Sequence, residues 1–144
     1  MRMDRETLLQ GLNQDLSHEY AAIIQYTTYA ASVAGIHRQE LKEFFLTEIQ
    51  DELRHAQLLA DKIAALGGEP TTLPAPVPAA KSAREMLEAV REAEAQTIAR
   101  YVQRMREAES LGDFGLSNDL QEIISEETRH KEETEKLLRG KWQG

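Results

Sequence analysis

Four stretches of the chain repeat apolar residues at alternating steps of three and four, and each stripe is interrupted near mid-length by ionisable residues. The first runs Leu9, Leu12, Leu16, Glu19, Ile23, Tyr26, Ala30, Val33, and the second Leu41, Phe45, Glu48, Glu52, His55, Leu59. The third runs Leu87, Val90, Glu94, Ile98, Tyr101, Met105, Ala108, and the fourth Leu116, Leu120, Ile123, Glu127, His130, Thr134, Leu137. A helical period sustained this long predicts amphipathic helices, and the abundant Ala, Leu, Glu, Gln and Arg favour them. The fold class is therefore all-α, with four helices near 4–35, 38–67, 81–111 and 114–140. Gly35, "LGGEP" at 66–70, Gly112 with Gly115, and Gly140 punctuate them. Ser82 with Glu85 offers a capping box for the third.

All four prolines fall in one connection, "EPTTLPAPVPAA" at 69–80. At roughly 3.1 Å per residue this segment spans about 40 Å, close to the ~45 Å of a 30-residue helix. It is long enough to join two parallel helices, which gives a bundle of two antiparallel hairpins tied by one crossover. The expectation is one domain covering 1–144.

Spacing brings the interruptions together. In an antiparallel hairpin, residues equidistant from the turn share a height. Glu19 and Glu52 are centred beside Gly35, Glu94 and Glu127 beside Gly112, and both pairs are 33 residues apart (52 − 19 and 127 − 94). Each hairpin thus delivers two carboxylates and one imidazole to the mid-plane. Glutamate is 19 of the 144 residues, so one Glu three places before a His carries little weight. Six such groups at one height are different, because an isolated buried carboxylate costs several kcal/mol unless it is neutralised or paired. Two divalent cations would balance four carboxylates and two neutral imidazoles, and Glu-x-x-His places both groups on one helical face. Mixed oxygen and imidazole donors suit iron or manganese, with zinc a competitor.

Composition narrows the alternatives. The absence of cysteine removes disulfides, thiolate metal sites and a thiol nucleophile. A net charge of −8 disfavours a nucleic-acid surface. No apolar run approaches a membrane span, and "MRMDRETLLQ" reaches charges before a signal peptide could form, so a cytoplasmic location is expected. His18 and His37 are assigned to the surface. Phe44, Leu46, Ile49, Leu53, Ala56, Ala60 and Ile63 lie off the second helix's ligand stripe, which predicts self-association into at least a dimer. Leu46, Leu53 and Trp142, if exposed and not core, also leave open a subunit of a hetero-oligomeric or compartment-associated assembly.

At these residues the chain resembles the ferritin-like di-iron proteins, bacterioferritin most closely. The likeness runs through "HEYAAIIQY", "DELRHAQLLADKIAALGGEP", "REAESLGDFG" and "EIISEETRH". The resemblance implies two iron ions per chain, with Glu19 and His55 terminal ligands of one, Glu94 and His130 of the other, and Glu52 and Glu127 bridging. Tyr26 matches a tyrosine near that family's centre, and Glu48 is expected beside the ligands. Haem is not expected, since the family's haem-ligating methionine position is Leu53. The family's short fifth helix is not expected either, as only "KWQG" follows Gly140. Thr97 stands where rubrerythrins carry a further Glu. The implied function is ferroxidase chemistry, in which O2 or H2O2 oxidises Fe(II) to Fe(III) for storage or detoxification. The alternatives are a peroxide-scavenging or manganese-dependent enzyme, or a metal-stabilised helical scaffold without turnover.

Overall fold

A computed structural model describes residues 3–140. Four helices follow in order: α1 (Arg5–Ser32), α2 (Arg38–Ala65), α3 (Ala83–Ser110) and α4 (Phe114–Leu138). Each expected helix exists; α2 and α4 start where expected, and the other ends are drawn in by one to three residues. At the end of α1 the cause is visible. Val33 turns out of the helix at ψ 136° yet stays buried, so the apolar stripe outlasts the helix that carries it.

Side-chain caps fix three of the starts. Asp4 Oδ1 accepts the Thr7 N–H at 2.8 Å, Ser82 Oγ that of Glu85 at 3.1 Å, and Asp113 Oδ1 that of Leu116 at 3.0 Å. Glu85 reaches back to the Lys81 N–H at 2.9 Å instead of to Ser82, so the expected box closes one residue early. Gly115 lies inside α4, and Gly112 alone, at φ 79°, makes that turn. Gly35 does the same at φ 105° between α1 and α2.

The crossover climbs alongside α1. Asn13 holds its start by donating to the Glu69 carbonyl at 3.1 Å and accepting the Thr71 N–H at 2.8 Å. Ala75 N–H then donates to the Ser17 carbonyl at 2.9 Å, and Tyr29 Oη to the Pro78 carbonyl at 2.6 Å. The chain therefore re-enters at the end of the bundle where α2 began, and α2 and α3 run parallel.

Two apolar clusters result. One packs Leu8, Leu12 and Leu16 with Leu59, Ile63, Tyr101, Leu116, Leu120 and Ile123. The other packs Tyr26, Tyr29 and Val33 with Leu41, Phe45, Met86, Leu87, Val90 and Leu138. Each fully buried large side chain contributes about 1.5–3 kcal/mol. Leu138, not the expected Leu137, closes the α4 stripe, because the helix rotates past a strict three-four pattern by its last turn. The apolar surplus on α2 is also smaller than the sequence suggests. Ala56 and Ile63 are buried, Phe44, Ile49 and Ala60 pack against the clusters, and Leu46 and Leu53 remain exposed. Trp142 and the expected lack of a fifth helix lie outside the described residues.

A buried polar tie sets α1 against α3. Arg104 grips Asp15 through Nε at 2.8 Å and Nη2 at 3.2 Å, and gives Nη1 to Glu107 at 2.8 Å. A Cβ at Gly11 would stand 1.9 Å from that Nη1, so a larger residue at this position of α1 would displace the guanidinium from its ties. The same register sets Tyr101, one turn before Arg104, against Glu19, one turn after Asp15.

Candidate metal centre

Between the two apolar clusters lies a polar mid-plane. Glu19 from α1, Glu52 and His55 from α2, Glu94 from α3 and Glu127 from α4 are all buried, and His130 of α4 is nearly so. One group joins Glu19, Glu52, His55 and Glu127; another joins Glu94, Glu127 and His130. Glu127 is common to both, whereas Glu52 falls in the first alone. Glu48 and Asp51 gather with His130 in a third group on the α2–α4 side.

The candidate ligand atoms of the first group all lie within 4.8 Å of one another. His55 Nδ1 lies 3.4 Å from Glu127 Oε1, 3.8 Å from Glu19 Oε2 and 3.9 Å from Glu52 Oε1. Donor atoms each about 2.1 Å from one ion are themselves roughly 3.0–3.5 Å apart; the Glu127 contact falls in that range, and the Glu19 and Glu52 oxygens stand wider. On the other side His130 Nδ1 is 4.0 Å from Glu127 Oε1, and Glu48 Oε2 faces it at 2.6 Å.

Among the described residues, every buried side-chain polar atom without a hydrogen-bond partner belongs to this plane: Glu19 Oε2, Glu52 Oε1, His55 Nδ1, Glu94 Oε1 and Glu127 Oε1, with Glu48 Oε2 and His130 Nδ1, which pair with each other only when a proton lies between them. Unsatisfied buried groups are rare and costly. The donor set present here, carboxylate oxygens and imidazole nitrogens, fits iron, manganese or zinc.

Neighbouring side chains hold four of the remaining atoms of these groups. Tyr101 Oη donates to Glu19 Oε1 at 2.5 Å, and Tyr26 Oη faces Glu94 Oε2 at 3.4 Å, leaving one oxygen of each carboxylate free. His55 Nε2 is 2.9 Å from Glu126 Oε2, and His130 Nε2 is 2.9 Å from Asp51 Oδ2. A carboxylate on Nε2 fixes the proton there and turns the Nδ1 lone pair inward. Each supporting carboxylate comes from the opposite hairpin. Tyr101, Asp51, Glu126 and Thr134, whose hydroxyl bears on Glu94, are site residues that neither the helical spacing nor the resemblance singles out. A repeat offset reaches one of them, Tyr101, from a residue already named. Glu94 follows Glu19, Glu127 follows Glu52 and His130 follows His55 by 75 residues (94 − 19, 127 − 52, 130 − 55), and so do Tyr101 after Tyr26 and Glu126 after Asp51.

Burial drives the electrostatics. It pushes the Glu94 carboxyl up to about 8, helped by the charge of Glu127. Burial and the charges of Glu19 and Glu127 raise Glu52 well above the carboxylate range, and burial raises Glu19. Glu127 goes the other way, because hydrogen bonds to His55 and Glu52 outweigh its burial. Burial alone would lower His130, but Glu48, Glu127 and Glu94 lift it to about 9. Without a cation the plane therefore holds protons in place of positive charge.

His18, assigned to the surface, is half-buried in a groove between α1, the crossover and α3, and His37 is exposed. Leu53 points outward, 54% exposed. No helix among the described residues is long and apolar enough to cross a membrane.

Comparison with known proteins agrees with this architecture. The ferritin-like domain family matches residues 9–140. A bacterioferritin of Desulfovibrio desulfuricans is 31% identical over 131 residues, which cover 90% of this chain and 73% of that protein. The crystal structure of a ferritin-like di-iron-carboxylate protein from Bacillus anthracis superposes with a TM-score of 0.94 at 49% identity, covering 96% of this chain and all of that one. A dodecameric thioferritin from Bacteroides fragilis, a bacterioferritin-related protein, superposes at 0.86 with 26% identity over 95% of this chain and 87% of its own. With four helices, one long crossover and this mid-plane, the chain belongs to the ferritin-like di-iron carboxylate superfamily as a bacterioferritin-like member.

Proposed function

We propose that the chain is a ferroxidase that takes Fe(II) as substrate, one ion held by Glu19, Glu52, His55 and Glu127 and the other by Glu94, Glu127 and His130. Glu52 is the second carboxylate shared between them. The observation that carries this reading is the confinement of all buried, unpartnered side-chain polar atoms among the described residues to one plane.

A pair of Fe(II) ions supplies two electrons, one from each: O2 takes them with two protons to leave as H2O2, or H2O2 takes them with two protons to leave as two waters. The chain's residues do the rest. Four carboxylates neutralise two divalent ions, and Glu48, Asp51 and Glu126 lie close by to offset the charge gained on oxidation. Tyr101 and Tyr26 fix one oxygen of each outer carboxylate and leave the other to bind. Glu94 and His130 must release protons as iron enters. Apolar clusters on both sides keep water from the plane.

Assembly follows from the surface. Ile24 on α1 and Leu46 and Leu53 on α2 are 40%, 44% and 54% exposed, and we place them in a contact between copies of the chain. Light scattering of the purified protein tests this, with a monomer as the contrary result.

The function is tested by admitting air to Fe(II)-loaded protein while O2 uptake and near-ultraviolet absorbance of the Fe(III) product are followed, with Glu52→Ala and Glu127→Ala in parallel. Oxidation well above the rate of free Fe(II), lost in both variants, is expected. Tight binding with no acceleration would make the cluster a manganese site or a structural staple.

A further inference from the structure

Arg54 stands outside the plane, yet it touches the supports of both histidines. Its Nη2 donates to Glu126 Oε2 at 2.5 Å and to Asp51 Oδ1 at 3.1 Å. Glu126 Oε2 is the same atom that accepts from His55 Nε2, and the other oxygen of Asp51 accepts from His130 Nε2. One amino group thus closes a continuous path from His55 through Glu126, Arg54 and Asp51 to His130. Position 129 is its counterpart in the second hairpin (54 + 75), and among the described residues Arg129 bonds only its own helix, through Ser125 Oγ at 2.9 Å. The internal repeat therefore carries two arginines in equivalent places, of which one spans the seam between α2 and α4.

We infer that Arg54 is a positioning residue common to both halves of the metal centre, holding Asp51 and Glu126 so that both imidazoles present Nδ1 inward together. This rests on the metal-centre reading above. The Arg54 side chain is 51% exposed, and pairs of that kind contribute little to stability by themselves. Its effect belongs to ligand orientation. Losing a group that supports a metal-bound histidine directly costs about 10- to 100-fold in affinity, and Arg54 acts one bond further out on two such supports.

Cobalt(II) is a suitable probe, because the paramagnetically shifted Nε2–H protons of His55 and His130 give separate NMR signals alongside the binding isotherm. In Arg54→Gln, both ions should bind about three- to tenfold more weakly, and both Nε2–H signals should exchange faster with water. Arg54→Lys should recover part of the loss. Arg129→Gln should match wild type, and the thermal midpoint of metal-free Arg54→Gln should not move. Asp51→Asn should disturb the His130 signal alone and Glu126→Gln the His55 signal alone, which separates a joint support from a single one. An Arg54→Gln protein with wild-type affinity and two unchanged signals overturns the inference, as does loss confined to one histidine. A wild-type protein that binds no cobalt overturns the metal-centre reading and this inference with it; wild-type binding matched by Arg54→Gln overturns this inference alone.

Discussion

The His55 and His130 halves of the mid-plane are built from residues 75 positions apart (130 − 55), yet they are not equivalent. His55 is sealed, with side-chain exposure of 2%, and faces three carboxylates at 3.4–3.9 Å. His130 is 13% exposed, lies 4.0 Å from Glu127 and is met first by Glu48. The asymmetry has a sequence origin: the counterpart of Glu48 on α4 (48 + 75) is Ile123, which is buried in the apolar cluster instead. One half is a closed cage, and the other carries an additional carboxylate toward the seam between α2 and α4. Repetition built the site, and one acid-for-isoleucine difference made its halves unlike.

The largest effect should come from Glu127, the one residue common to both groups. Glu127→Ala is expected to abolish stoichiometric binding at both halves, whereas Glu94→Ala should spare the His55 half; metal analysis after gel filtration distinguishes them. Equal damage from both variants would erase the distinction between a shared and an unshared carboxylate.

Glu48→Gln should act on the His130 half alone. Glu48 holds a proton on His130, so its removal should lower the pH midpoint of metal uptake there by about one unit or more. A cobalt titration repeated across pH would show it, and a matching shift in the His55 half would contradict the asymmetry.

Metal-free protein should lose stability as pH rises. His130, ordinarily near 6.5, is held at about 9 in the fold, so its contribution is complete below 6.5 and disappears as pH passes 9. Glu94 is raised from 4.5 to about 8, so the folded state again binds the proton more tightly and loses that advantage as pH passes 8. The two act in the same direction. Between pH 6.5 and 9 the melting temperature should fall on the order of 5 °C, and bound metal should flatten the curve. A metal-free melting temperature that rises over this range would contradict both shifts.

The smallest difference separates the two tyrosines. Tyr101 donates to Glu19 at 2.5 Å while Tyr26 stands 3.4 Å from Glu94. Tyr101→Phe should therefore cost metal-free protein about 1–2 kcal/mol and Tyr26→Phe less than about 1 kcal/mol, as read by chemical denaturation.

These contrasts also show what the sequence discloses. Helices, hairpin pairing and the six residues brought to the plane were legible because periodicity and equal spacing report directly on which residues share a face and a height. Asp51 and Glu126 were not, since each supports a histidine of the other hairpin, and no spacing within one helix reports a contact across a seam. The buried Arg104–Asp15 pair was invisible for a related reason: an Arg and an Asp on α3 and α1 look like surface charges until Gly11 shows the space kept between them. His18 is at the surface but half-buried, because the crossover, whose path depends on Asn13 and Tyr29, covers its side of α1.

The most direct test is the number of Fe(II) ions bound per chain under anaerobic conditions, measured by equilibrium dialysis of metal-free protein and of Glu127→Ala. The account predicts two ions per chain in the wild type and neither held stoichiometrically in the variant. One ion, none, or two retained without Glu127 would contradict a centre built from two halves joined by that carboxylate.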